Sequence, residues 1–250
     1  MKSHVINIFI AFTIIIFTSC KNNNNVNPSS SDIGSTGSGG SLARFAIIGN
    51  YLYTVDINNL KLFNITQPGN PQYEKSISVG TGIETIFPKD TILFIGSQRG
   101  MYIYDVSVQN DPIILSVYQH IYSCDPVVAD DEYAYVTLRS ENLTCGRNVD
   151  RLEIVDISDL SNPFLVKSYN MTNPKGLGID NKELFICDEG LKVYNANDVK
   201  NLVQTNYFNI KANDVIPNAG NLMVIGDDGL YQYDYSGDSL KLLSKLDIIQ

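Results

Sequence analysis

The chain is poor in the residues that metal sites and nucleic-acid surfaces require. Only two of its 250 residues are His (His4 and His120), and its four Cys show no paired spacing typical of zinc sites. Lys and Arg together number 18 against 27 Asp and Glu, so the net charge of -9 repels phosphate backbones and anionic lipid headgroups. The composition therefore predicts no metal, no cofactor and no nucleic-acid partner.

Sequence motifs of catalysis are also lacking. A Ser-His-Asp mechanism would depend on His120, and no nucleophile-elbow motif accompanies that residue. Trp, a common stacking platform for sugars, is absent, although 15 Tyr and 10 Phe are present. With 44% hydrophobic and 18% charged residues, the chain has the composition of an ordinary folded protein. These features favour a folded domain with a non-enzymatic role.

Residues 1–19 have the composition of a lipoprotein signal peptide. Lys2 precedes an apolar run over residues 5–17, which is shorter than the ~20 apolar residues of a membrane-spanning helix. The run is followed by "FTSC", which resembles a bacterial lipobox. This resemblance implies that Cys20 is lipidated and becomes the first residue of the mature chain. An ordinary secretory signal followed by a chance Cys is the alternative.

Residues 20–41 contain almost no side chain that a core could bury. Their Asn, Ser and Gly predict a flexible tether that holds a folded head away from a membrane. We therefore expect the protein to be anchored in the cell envelope, at the outer membrane. No acidic cluster follows Cys20 of the kind that resembles the surface-export signal of Bacteroidota lipoproteins, so the periplasmic and the surface-exposed faces both remain open.

From residue 42 to residue 250 the chain repeats a short motif. Each copy opens on an apolar anchor residue, and the anchors are Leu60 ("LKLFN"), Met101 ("MYIYD"), Leu152 ("LEIVD"), Leu191 ("LKVYN") and Leu230 ("LYQYD"). The anchors are separated by 41, 51, 39 and 39 residues, and the longest separation contains an insertion at residues 139–150. Self-similarity near 40 residues, built from short strands, is the signature of propeller blades.

Two further patterns support this fold. An Asp or Asn follows each anchor by four residues and predicts a turn, because its side chain can bond the backbone: Asn64, Asp105, Asp156, Asn195 and Asp234. Many strands are apolar at consecutive positions, which is typical of sheets covered on both faces, as in stacked blades. Each copy reads as three strands joined by turns, and one further strand precedes each set of three. The sequence therefore predicts an all-β fold, a five-bladed β-propeller of four-stranded antiparallel blades.

The stretches "GMYIYDVSVQNDP" (100–112) and "RLEIVDISDLSNP" (151–163) resemble the LVIVD repeat, a β-propeller repeat of bacterial secreted and surface proteins. "SCDPVV", "AYVTLRS" and "NPKGLGID" also resemble a group of Bacteroidota lipoproteins that carry this repeat. The resemblance covers nearly everything after the tether. It implies a propeller and an extracytoplasmic location, and it implies no settled biochemical activity.

The remaining cysteines predict one disulfide. Cys124 directly precedes the inner strand of the third blade, and Cys145 lies in that blade's insertion, so both belong to the same end of the same blade. An oxidising compartment favours a bond between them, and two free thiols are the alternative. Cys187 lies within a strand and is predicted to be a small buried hydrophobe.

Charged residues begin four of the five predicted inner strands, where they would surround the mouth of the central channel: Glu84, Asp125, Lys175 and Asp214. Three carboxylates around such an axis resemble the arrangement in propeller glycosidases, in which an acid and a base flank the sugar bond. The simpler interpretation is that these residues are solvated at a wet channel mouth. We treat them as candidate ligand-binding residues.

The insertion of the third blade supplies a second candidate surface. It adds charged residues to a face otherwise made of tight turns, and loops carry function more often than strands do. The candidates are Arg139, Glu141, Arg147 and Arg151. A purely structural lid over one blade is an equal alternative.

These observations predict a lipid-anchored envelope protein that binds a protein or a glycan without catalysing a reaction. Binding would use the top face of the propeller, which is the end with the predicted channel mouth and the insertion. A carbohydrate hydrolase with Glu84, Asp125 and Asp214 as its carboxylates is the first alternative. A structural envelope protein is the second. The head itself is expected to be monomeric.

Overall fold

The computed structural model describes residues 39–120, 123, 126–140, 150–237 and 239–248. The predicted signal peptide and Cys20 lie outside these residues, as do Cys124, Asp125, Glu141, Cys145 and Arg147. The predicted disulfide between Cys124 and Cys145 therefore stays a prediction. None of the described ranges contains a helix with the length and hydropathy needed to cross a bilayer.

Twenty strands form five antiparallel sheets of four strands each, arranged in a ring. Blade one contains β1 (Phe45–Ile48), β2 (Tyr51–Val55), β3 (Asn59–Asn64) and β4 (Gln72–Ser78). Blade two contains β5 (Ile83–Lys89), β6 (Ile92–Ser97), β7 (Gly100–Asp105) and β8 (Ile113–Gln119). Blade three contains β9 (Val127–Ala129), β10 (Tyr133–Leu138), β11 (Arg151–Asp156) and β12 (Phe164–Asn170). Blade four contains β13 (Pro174–Asp180), β14 (Glu183–Asp188), β15 (Leu191–Asn195) and β16 (Val203–Phe208). Blade five contains β17 (Asp214–Asn218), β18 (Asn221–Ile225), β19 (Gly229–Asp234) and β20 (Lys241–Asp247). The predicted five-bladed β-propeller is confirmed.

The five blades share local details that follow from the repeat. Each Asp or Asn four residues after an anchor accepts a hydrogen bond from the backbone N–H two residues later, for example Asp105 Oδ1 from Ser107 N at 2.7 Å and Asn64 Oδ1 from Thr66 N at 2.9 Å. The predicted turns are thus confirmed. The pairing of the third and fourth strands also shifts register at one equivalent position in every blade, which bends the outer strand and increases its twist.

Four apolar clusters hold consecutive blades together. The largest side chains in them come from one repeat position in the second strand, where Tyr53, Phe94, Tyr135 and Phe185 are buried. Strand β14 illustrates the two-sided packing: its residues Leu184 and Ile186 face blade three while Phe185 and Cys187 face blade five. The continuous apolar runs of these strands are therefore explained, and the predicted burial of Cys187 is confirmed.

Residues 40–43, which we call the axial segment, connect inner strands of three blades. The hydroxyl group of buried Ser41 donates to Asp214 Oδ1 in blade five (2.7 Å) and accepts from Leu177 N in blade four (2.8 Å). The carbonyl of Ala43 accepts from Ile86 N in blade two (2.9 Å). Buried contacts thus begin before residue 42, where the head was expected to start.

Removing the Ser41 hydroxyl group should destabilise the ring. Ser41→Ala leaves the Leu177 N–H and one oxygen of Asp214 without this partner in a buried site, so we expect the free energy of unfolding to fall by about 2–4 kcal/mol. Ser158→Ala, in an exposed turn of blade three, should change it by less than about 0.5 kcal/mol. Urea unfolding followed by circular dichroism measures both. Equal midpoints for the two variants would contradict the role of the axial segment.

Candidate functional site

Loops of two kinds meet at one end of every blade. Successive strands run in opposite directions, so the loop entering the inner strand and the hairpin between the second and third strands share this end, which we call the top face. The top face contains a cavity of about 260 Å³ at blades four and five. Its polar lining consists of Asn173, Lys175, Glu189, Asn209, Asn213 and Asp227. We call it the top cavity.

A chain of hydrogen bonds crosses the floor of the top cavity. Lys175 Nζ donates to Asn213 Oδ1 at 2.6 Å, and Asn213 Nδ2 donates to Asp227 Oδ1 at 2.6 Å. The backbone of Asn213 is fixed as well, because its N–H donates to Ile225 O (2.7 Å) and its carbonyl accepts from Gly176 N (2.9 Å). The Asn213 side chain thus links a positive and a negative group in a set orientation, as a preorganised polar site requires.

A buried carboxylate holds the loop on the other side of the cavity. Asp188, at the end of β14, accepts from Asn173 N at 2.6 Å, from Thr172 N at 3.1 Å and from Lys192 Nζ at 2.7 Å. Because three donors occupy this carboxylate and no solvent reaches it, Asp188 positions the loop that carries Asn173 rather than facing a ligand.

Of the predicted channel-mouth residues, Lys175 lies in the top cavity. Glu84 is half-buried in blade two and accepts a hydrogen bond from Gln98 Nε2 at 3.1 Å. It stands at a register irregularity of β5 between Ile83 and Thr85. Lys175 and Glu84 therefore belong to different parts of the top face.

Asp214 differs from a residue at a wet channel mouth. Its carboxylate is 2% exposed and accepts from Ser41 Oγ, from Leu42 N at 3.1 Å and from Val215 N at 3.0 Å. Burial raises the pKa of this carboxyl to about 6, and the hydrogen bonds only partly offset that effect. The axial segment thus covers the Asp214 carboxylate, which the sequence predicted to lie at the solvated channel mouth.

The insertion residues that the structure describes are engaged with the blade. The Arg151 guanidinium contacts Glu153, whose side chain is buried and also accepts from Tyr118 OH at 2.8 Å. Burial, and then the hydrogen bond to Glu153, raise the pKa of Tyr118. The carbonyl of Arg139 accepts from Ser123 Oγ at 2.8 Å. The Arg151 side chain therefore serves the interface between blades two and three.

Sequence reasoning missed most of the cavity lining. Glu189 and Asp227 stand in "CDEG" and "GDDG", which are hairpin turns as their patterns indicate. Asn213 directly precedes the predicted site residue Asp214, but no motif in the sequence marks Asn213 itself. Within the described part of the chain, no group of His, Cys, Asp and Glu could hold a metal ion.

A wider cavity of about 620 Å³ lies at the opposite end of blades two to four. Its two lysines are already paired with carboxylates, Lys182 Nζ with Asp130 Oδ2 at 2.9 Å and Lys89 Nζ with Asp131 Oδ1 at 2.7 Å. A ligand there would have to displace ion pairs. The top cavity, whose hydrogen-bond chain runs through a neutral amide, is the better candidate.

The LVIVD repeat family model matches residues 39–77 and 123–171, so these two segments of the β-propeller are similar to the LVIVD repeat. No curated protein sequence matches it. Among solved structures, it is similar to a functionally unknown protein from Desulfotomaculum acetoxidans, with 11% identity and a TM-score of 0.62 over 86% of this chain and 70% of that chain. A periplasmic gluconolactonase from Pseudomonas aeruginosa shows 11% identity and a TM-score of 0.59 over 80% and 68%. A Lactobacillus plantarum protein shows 13% identity and a TM-score of 0.60 over 78% and 67%. At these identities the likeness shows the fold alone.

The raised pKa of Asp214 predicts a pH dependence of stability. A folded pKa of about 6, above the ordinary 3.8, gives a contribution that is complete below about pH 4 and is lost as the pH rises through 6. Because Asn does not titrate, the free energy of unfolding of the wild type relative to Asp214→Asn should fall by about 2 kcal/mol between about pH 4 and pH 7. Urea unfolding at several pH values measures this difference. Parallel pH profiles for the two proteins would contradict it.

Proposed function

We propose that the protein is a lipid-anchored β-propeller of the cell envelope that binds a glycan in its top cavity without catalysing a reaction. The observation that carries this proposal is the polar lining of that cavity, in which amide, carboxylate and ammonium groups converge on a single concave space. Sugar hydroxyl groups both donate and accept hydrogen bonds, so they match a mixed lining of this kind.

The size and the rim of the cavity favour a sugar residue over a protein segment. At about 260 Å³ it is slightly smaller than sites for drug-sized ligands, which begin near ~300 Å³, so it suits one terminal sugar. Tyr207 lies beside it, 49% exposed, and its hydroxyl group donates to the carbonyl of Glu189 at 2.8 Å. This fixed aromatic ring can stack on the apolar face of a sugar, in place of the missing Trp.

The environment of Asp214 argues for binding over hydrolysis. Among the three carboxylates of the hydrolase alternative, Glu84, Asp125 and Asp214, any that serves as acid, base or nucleophile must reach the substrate. The carboxylate of Asp214 is instead covered by Ser41 and Leu42, to which it is hydrogen-bonded. A substrate would have to displace the axial segment to reach it. A structural envelope role remains the alternative if no ligand binds.

The cellular address is part of the same proposal. The signal and lipobox resemblance of residues 1–20 support lipidation at Cys20, and residues 21–38 offer a polar tether between the anchor and the first described residue. We propose the outer membrane as the location, and either of its faces satisfies the tether. A surface-exposed head would meet glycans of other cells, and a periplasmic head would meet those of the envelope.

Asn213→Ala should weaken glycan binding about 10- to 100-fold, because it breaks the hydrogen-bond chain between Lys175 and Asp227 and removes one amide from the site. A glycan array with the full chain identifies the ligand, and isothermal titration calorimetry measures its affinity. Asn201→Ala is the matched control, since Asn201 lies in an exposed turn at the opposite end of blade four. It should bind as the wild type does. Equal affinities for the two variants would contradict this site, and no glycan bound by the wild type would contradict the ligand class.

Cys20→Ser should abolish lipidation and leave residues 1–19 attached. Without a thiol there is no lipid, and cleavage before residue 20 follows lipidation at a lipobox. The intact mass of the purified protein measures both changes. A wild type without the added mass of acyl chains, or one that still begins at residue 1, would contradict the proposed anchor.

A further inference from the structure

Blade five departs from the packing of the other blades at one repeat position. In the second strand, Tyr53, Phe94, Tyr135 and Phe185 are at most 1% exposed, because each packs against the following blade. The equivalent residue of blade five, Met223, is 36% exposed. Within the described part of the chain, the side of blade five that points away from blade four therefore lacks the cover that every preceding blade has.

The anchor residues show the same departure. Leu60, Met101, Leu152 and Leu191 are all 0% exposed, whereas Leu230 is 38% exposed. Leu230 pairs with Ile225, which shares its side of the sheet, and Leu246 lies next to it on β20. Both of these neighbours are exposed as well. An apolar stripe thus crosses the second, third and fourth strands of blade five.

Blade one has a matching uncovered side. Leu93, Ala134, Leu184 and Leu222 are completely buried against the preceding blade, but the equivalent Leu52 is only half-buried. Phe45 is 59% exposed on the same side, and the ring of half-buried Phe63 lies edge-on to exposed Tyr73 at 5.6 Å. We call the two uncovered sides, on blades one and five, the seam.

Among the described residues, the hydrogen bonds that close the seam lie near the axis. There, Asp214 in the inner strand of blade five is buried by the axial segment, as is shown by its bonds to Ser41 and Leu42. Farther out, Met223 and Leu230 face solvent. An apolar surface of this kind, on two adjoining sheets, exceeds the scattered exposed residues normal for a soluble protein and marks an interaction surface.

We propose that a second copy of this chain covers the seam. The uncovered side of blade one is the side that blades two to five use against the preceding blade. The uncovered side of blade five is the side that blades one to four use against the following blade. Blade one of another copy therefore offers blade five the same complementary surface that the four established interfaces use. In a two-fold dimer each copy supplies both sides, so the contact is reciprocal and closed.

The area is sufficient for such a dimer. The three outer strands on each uncovered side are five to seven residues long and lie ~4.8 Å apart, so their face measures roughly 290 Å². Two such faces from each of two copies bury about 1,100 Å², which exceeds the ~1,000 Å² that a specific interface should reach. This assembly differs from the monomeric head that the sequence predicts, and it leaves the top cavity free, since that cavity lies at blades four and five on the top face.

Leu230→Asp should dissociate the dimer, because it places a charge in the middle of the apolar stripe. Sedimentation velocity of the full chain, in density-matched detergent at about 1 to 100 µM, should show a dimer for the wild type and a dissociation constant at least ~10-fold larger for the variant. Leu165→Asp is the control: Leu165 is 45% exposed on the outer strand of blade three, far from the seam, and its variant should remain dimeric. Both leucines are already exposed, so both variants should fold and keep the wild-type far-ultraviolet circular dichroism spectrum at 25 °C. A wild type that sediments as a monomer throughout would overturn the proposal.

Cysteine cross-linking separates a second copy from a ring that closes on itself. Chains carrying Leu52→Cys and chains carrying Met223→Cys, mixed and oxidised, should form a covalent heterodimer, because the two positions face each other between copies. The parent chain treated identically is the control. Oxidation of one chain carrying both substitutions to a cross-linked monomer would show that the seam closes within the chain and would overturn the proposal. No cross-link in either experiment would also overturn it and would leave the seam to a different protein.

Discussion

The hydroxyl group of Ser41 lies where the first and last parts of the chain meet, and the ring depends on its two hydrogen bonds. Every blade is built from four consecutive strands, so no sheet of the described residues combines strands of the first and the last blade. Four apolar clusters join consecutive blades, but the tie to blade five from the N-terminal side runs through Ser41 and Leu42 to Asp214. A polar contact thus connects the axial segment to blade five, whereas apolar packing connects the consecutive blades. Because it is buried, each of its groups must find its partner.

This arrangement separates the two surfaces that we assign to recognition. The top cavity lies at blades four and five, which a full apolar cluster and the Ser41 contacts hold together. Hydrogen bonds thus fix its backbone: Asp188 holds the loop that carries Asn173, and Asn213 holds the side chains of Lys175 and Asp227 in place. The seam lies on the other side of blade five, where none of the five described blades of the same chain covers the apolar stripe. Ligand binding and self-association can then proceed on one blade without competing for the same residues.

The candidate site could be predicted from the sequence only in part. Lys175 was placed at the top face by its position before an inner strand, and it lies in the cavity. The same rule predicts an exposed Asp214, yet it is buried, because a serine 173 residues earlier in the chain bonds to it. The charge of Arg151 predicts a surface residue, but its guanidinium contacts the buried Glu153. Counting along a repeat gives the position of a residue on the blade, but it does not give the long-range partner that decides its exposure.

The amino-acid sequence by itself determined the number of blades, their strands and their turns. These features are local: anchors near 40 residues apart, apolar runs of strand length and an Asx residue four positions after each anchor suffice to specify them. The route of residues 40–43 across the axis, the burial of Asp214, the lining of the top cavity and the uncovered seam became apparent only in the folded chain. Each of these features depends on side chains brought together from different blades. The pattern within one repeat does not encode which other blade that repeat will contact, or whether another blade will cover the last one.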